Sequence, residues 1–208
     1  MEQLQLRTGD TLLTFDKAPL LFHDLGPRSD LFGAKNNKTL RQTLAHRRYS
    51  SLAVECSALY PAHLDTGIGE FLTQLKYQND PYYQRFLNSH GDGAYCTFGL
   101  APSEVCRQKG LYAYTALGEL RYIGRCLDNF GKRINQGYGK IHPKNCFRDG
   151  QTTNCHLNAL ICQNKNGLCL FLLALQADEE ICHLERELIR AYDPPWNIQL
   201  RKEGPLGA

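Results

Sequence analysis

Residues 110–126 constrain this chain more than any other stretch. Gly110-Leu111-Tyr112 is followed ten residues later by Tyr122-Ile123-Gly124, with Gly118-Glu119 between them. Apolar and aromatic runs on either side of a glycine turn predict a β-hairpin, Leu111 to Ala116 against Leu120 to Ile123. Further on, Asp128 is placed to cap a helix running to about Gln136. Residues 137–150 are rich in Gly, Pro, Asn and basic side chains and read as a loop. A helix follows over 152–163, with Leu157, Leu160 and Ile161 on one face, and then a buried strand over 168–175. Residues 178–192 form an amphipathic helix whose first acids, Asp178, Glu179 and Glu180, suit the positive end of its dipole. Pro194-Pro195 stops it. The order from 110 onward is β-β-α-α-β-α.

The first half reads differently. A short hairpin is expected around Thr8-Gly9-Asp10, between Leu4 and Phe15. One helix is expected from Asn36-Asn37 to about Leu59, ahead of Pro61, and another over 67–77. Asp80-Pro81 supplies a cap and a first-turn proline for a short helix to Leu87, and residues 90–93 form a turn. The expectation is an α+β chain in two parts. Residues 1–105 form a largely helical N-terminal region and 106–208 a second domain.

Composition excludes several classes. In 208 residues, 42% are hydrophobic and 22% charged, a globular balance that argues against disorder. No apolar run is long enough for a membrane span, and Met1 to Gly9 has no secretory pattern. The nine cysteines are odd in number, scattered and without a CxxC pair, which fits a reducing cytoplasm better than a disulfide framework. Cys146, Cys155, His142 and His156 have no standard zinc spacing, and small buried hydrophobes describe such cysteines equally.

Net charge is only +3, but it is unevenly spread. Residues 121–148 carry seven Lys or Arg against the single acid Asp128, and residues 35–48 carry five with no acid. Such fields attract nucleic-acid phosphates. The candidates are Arg41, Arg47 and Arg48 in the first stretch and Lys132, Lys140, Lys144 and Arg148 in the second. Solvated helix faces account for the same charges.

Taken together, residues 110–197 resemble the GIY-YIG nuclease superfamily. Gly110-Leu111-Tyr112 and Tyr122-Ile123-Gly124 stand as its two motifs. Arg133 lies on the following helix, Glu185 on the helix over 178–192, and Asn197 behind the double proline. The resemblance implies a small, three-stranded, mainly antiparallel sheet flanked by helices, and hydrolysis of DNA phosphodiesters with Mg²⁺ or Mn²⁺. It implies Glu185 as the metal ligand, Arg133 on the scissile phosphate, and Tyr112 or Tyr122 as general base. Arg125 stands where repair members carry a lysine. Tyr138 falls near a family tyrosine or histidine, with the spacing off by about one. The loop residue His142 is an alternative base. Asn197 is expected to brace the site through backbone hydrogen bonds.

The function expected is a divalent-metal-dependent endonuclease on double-stranded DNA, with a restriction or defence role. No linker and separate binding module points to a homing enzyme. A repair, recombination or RNA-directed nuclease is the enzymatic alternative, and a non-catalytic binding module on a nuclease scaffold the other. A duplex cut is served by a homodimer or by one site acting twice. The N-terminal region is expected to supply DNA recognition.

Overall fold

The computed structural model describes residues 2–23 and 26–198. Among these are seven strands: β1 Gln3–Thr8, β2 Thr11–Ala18, β3 Leu20–Phe22, β4 Phe98–Leu100, β5 Gly110–Ala116, β6 Glu119–Cys126 and β7 Leu168–Ala174. They also contain five α-helices: α1 Leu40–Leu44, α2 Ser50–Leu59, α3 Ile68–Tyr77, α4 Thr152–Gln163 and α5 Asp178–Tyr192. The α+β class stands. No helix among the described residues is long and apolar enough to cross a membrane.

The chain separates into two compact units, neither continuous in sequence. The first takes residues up to 24, 97–140 and those from 160 on; the second takes 25–96 and 141–159. The division falls inside α4. This differs from the expected boundary at 105, for two reasons. The N-terminal hairpin needs a sheet edge, and residues 141–159 carry backbone groups that residues 25–96 satisfy.

The first unit is built on a five-stranded antiparallel sheet of order β1-β2-β7-β5-β6. The expected sheet had three strands. The two extra strands come from the N-terminal hairpin, where β2 pairs Asp16, Lys17 and Ala18 with Leu172, Phe171 and Leu170 of β7. β5 lies between β7 and β6 and is buried along its whole length. The β5–β6 turn is Leu117-Gly118, both with positive φ (53° and 81°), the two-residue geometry that matches strand twist.

Strand alternation sorts β5 into two faces. Leu111 and Ala113 join Leu6, Phe15, Ile123 and Phe171 in a core closed by Ile181, Leu184, Leu188 and Ile189 of α5. Tyr112 and Tyr114 therefore point to the opposite face. α5 spans the residues expected for it and ends at Asp193, whose φ of 41° turns the chain towards Pro194. β3 and β4 form a separate antiparallel pair in this unit.

The second unit is helical. The single helix expected up to Leu59 is broken at 45–49 into α1 and α2. Thr39 caps α1 reciprocally: its hydroxyl accepts from Gln42 N at 3.2 Å, and its amide donates to Gln42 Oε1 at 3.1 Å. Asp80 accepts from Tyr82 N at 2.9 Å and opens a 3₁₀ turn over Pro81–Phe86. Residues 141–159 join through Asn88, which donates to the carbonyls of Asn145 (2.6 Å) and Phe147 (3.2 Å), and through two bonds between the Asn158 amide and Cys96.

Leu188 is wholly buried between α5 and the sheet. Leu188→Ala should lower unfolding free energy by about 2–5 kcal/mol, read by urea denaturation, with a loss under about 1 kcal/mol placing it outside the core.

Candidate active site around the tyrosine hairpin

Each motif glycine has a steric reason. Gly110 has φ 146°, and a Cβ there would sit 2.0 Å from Leu173 O of the neighbouring strand. Gly124 pairs with Tyr112 across β5 and β6. A Cβ on Gly124 would meet the Tyr112 Cζ and Oη at 2.6 Å and Tyr122 Cε1 at 2.7 Å. The bare glycine leaves room for both rings. Tyr112 and Tyr122 stack at 5.9 Å, and Tyr112 meets Tyr138 at 6.0 Å and Tyr114 at 6.3 Å.

The segment after β6 supplies the cation. Asn129, not Asp128, caps it, with Oδ1 accepting from Lys132 N at 2.7 Å. Asp128 instead pairs with Lys132 at 2.5 Å. From Lys132 to Tyr138 the expected α-helix is a π-helix, marked by the five-residue bond Gly139 N to Ile134 O at 2.7 Å. Tyr138 thus lies in the helical segment and not in a loop. A π turn holds one more residue than an α turn, so positions five apart share a face. Arg133 and Tyr138 meet in this way, the guanidinium 5.6 Å from the ring centroid.

Arg133 Nε donates to Tyr112 Oη at 3.2 Å. No carboxylate among the described residues lies within ion-pair distance of Arg133. The nearby phenol oxygens raise its pKa despite burial, Tyr112 contributing most, so the guanidinium stays charged. Burial raises Tyr122 and Tyr138 well above 10.0, so both keep their protons. Tyr138 Oη also lies 3.2 Å from Tyr114 Oη.

Glu185 on α5 is ion-paired through Oε2 to Arg125 Nη1 on β6. Its side chain is 12% exposed, against 40% for Arg125. Burial lifts the Glu185 carboxyl above 4.5, while Arg125 and, from farther away, Arg133 pull it back. Asn197 braces the motif strand: Oδ1 accepts from Ile123 N at 3.0 Å and Nδ2 donates to Ile123 O at 2.7 Å. It completes the outer edge of β6 as a short strand would.

Tyr112, Tyr122, Arg125, Arg133, Tyr138, Glu185 and Asn197 all belong to the first unit, but only Tyr112, Tyr122, Arg133 and Tyr138 meet on the tyrosine face; Arg125, in register with Leu111, and its partner Glu185 lie on the α5 face, reached from Arg133 only by its charge, and Asn197 holds the Ile123 backbone. His142 belongs to the second unit, where it is exposed and its Nδ1 accepts from Lys144 N at 3.2 Å. Arg41 is tied to Asp65 at 3.0 Å and Lys132 to Asp128, so neither is an uncompensated cation. Lys140, Lys144 and Arg148 are exposed. Sequence reasoning did not pick out Tyr114. Its signal was alternation, two residues beyond Tyr112 on the same strand face.

Gly124→Ala should force the Tyr112 phenol off Arg133 and cost about 1–3 kcal/mol of stability by overpacking, measured by urea unfolding. An unchanged midpoint would show that the close fit has no consequence. No family model, curated protein or solved structure matches this chain, and the chemistry of the cluster stands on its own residues.

Proposed function

We propose that the chain is a metal-dependent endonuclease of the GIY-YIG type, hydrolysing phosphodiester bonds of double-stranded DNA. One observation carries the reading. A half-buried, charged Arg133 has no carboxylate partner among the described residues, donates to a phenol, and sits within the electrostatic reach of a desolvated glutamate. Such a guanidinium is a receptor for an anion. The β6-β5-β7 part of the sheet, with α5 behind it, supports the family's three-stranded core as the finer reading of the fold.

Among the described residues, no three His, Cys, Asp or Glu side chains cluster as a metal cage. Glu185 alone is the donor. A lone buried carboxylate fits Mg²⁺ or Mn²⁺, which keep most of their waters and take further oxygens from substrate phosphate. Bound there, the cation would neutralise developing oxyanion charge and acidify water.

The chain's own groups divide the remaining work. Arg133 would grip the scissile phosphate, while Arg125 would keep the Glu185 carboxylate charged and oriented. Tyr112 is the base this reading selects, because its Oη is the phenol oxygen in direct hydrogen bond with Arg133. Tyr122 positions Tyr112 by stacking.

Plasmid cleavage with Mg²⁺ should fall to background in Glu185→Gln, with folding intact by circular dichroism. Arg133→Ala should lose about 10²–10³-fold in rate, the scale of removing one preorganised anion donor, and Arg133→Lys should recover only part of it. Wild-type cleavage by Glu185→Gln would overturn the assignment.

The carboxyl itself gives a pH test. In metal-free protein, ¹³C NMR should show Glu185 titrating above 4.5. Arg125→Ala should move it higher, since removing the cation leaves the burial effect unopposed. The charged, metal-competent form is lost as pH falls through that raised value. A downward shift in Arg125→Ala would contradict the pairing.

A further inference from the structure

In the second unit the first basic stretch of the sequence meets the end of the second. Arg48 Nη1 donates to the Arg148 carbonyl at 3.2 Å, and Tyr49 Oη donates to Asp149 Oδ1 at 2.6 Å, pinning residues 46–49 to 148–149. Arg47, Arg48 and Arg148 line an open depression, and all three are exposed. Among the described residues no carboxylate lies within ion-pair distance of any of them. The acid next to them, Asp149, is already occupied. Burial alone would raise its pKa, yet the Tyr49 hydrogen bond and Lys35 bring it below 3.8.

More charge of the same sign lies alongside. Lys35 is 4.0 Å from Asp149 and stands 4.0 Å from the Phe147 ring centroid. Burial lowers its pKa; Asp149 opposes this, while the charges of Lys38 and Lys144 lower it further, which places those two lysines in the same field. Unpaired arginines, drawn from segments 100 residues apart and fixed around a shared depression, carry a repulsion that a polyanion relieves.

We infer that Arg47, Arg48 and Arg148 form a binding site on the second unit for the phosphate backbone of double-stranded DNA. The inference rests on the nuclease reading for its choice of duplex, but not on any catalytic residue. It removes Arg41, which Asp65 neutralises, from the set suggested by sequence. The contacts are to phosphates, so they carry affinity and salt dependence without base preference.

The test uses full-length protein in EDTA and a fluorescent 20-base-pair duplex at several salt concentrations. Each phosphate contact contributes about 0.9 to the slope of log affinity against log salt. Arg47→Ala/Arg48→Ala/Arg148→Ala should bind at least about 10-fold more weakly and lose about 2.7 from that slope. The triple lysine variant should keep the slope, because the charges remain. Arg41→Ala should bind within about two-fold of wild type. Unchanged binding in the triple alanine variant overturns the site, as does equal loss in the triple lysine variant. Cleavage is scored separately with Mg²⁺. Binding through these arginines without cutting would overturn only the nuclease reading, while cutting that ignores them would overturn only this site.

Discussion

The Arg133 to Tyr112 hydrogen bond is the interaction on which the candidate site depends. Taking a guanidinium out of water is costly unless its donors are met and its charge is balanced. Here a phenol oxygen meets one donor and an aromatic face receives part of the charge. No anion completes the set among the described residues. The surroundings serve this one arrangement. Gly124 leaves the volume that the Tyr112 ring occupies, Tyr122 stacks on that ring, and the widened helical turn brings Tyr138 over Arg133.

Glu185 and Arg125 hold each other on the α5 face of the hairpin, where Arg125 stands in register with Leu111. The site therefore has a row of phenols around one cation on one face of the hairpin and a pair of opposite charges on the other. The phenols are closed off, with Tyr112 wholly buried, while Arg125 retains the greatest exposure.

What could be read from the sequence was what local chemistry specifies. The β5–β6 hairpin follows from its turn and its apolar runs, and α5 from its periodicity, its first-turn acids and the double proline. Tyr112, Tyr122 and Glu185 lie on those elements, and Asn197 follows the double proline after α5. What escaped was non-local. Nothing in residues 3–18 says that β2 pairs with β7 more than 150 positions away. Likewise, the loop beginning near 137 looks like an appendage until Asn88 and Asn158 are seen satisfying its connections to residues 88–96. Charge counting also overreached. Arg41 and Lys132 look identical in composition to Arg47 and Arg148, and only the fold shows that the first two have carboxylate partners.

The widened turn at 132–138 has a bearing on how such a segment tolerates change in length. Removing one residue between Arg133 and Tyr138 would restore an ordinary four-residue ladder and still leave the two side chains facing each other. Adding one would rotate the phenol away from the guanidinium with no regular helix to absorb it. Contraction is thus the direction that keeps the Arg133 to Tyr138 contact, and expansion the one that breaks it.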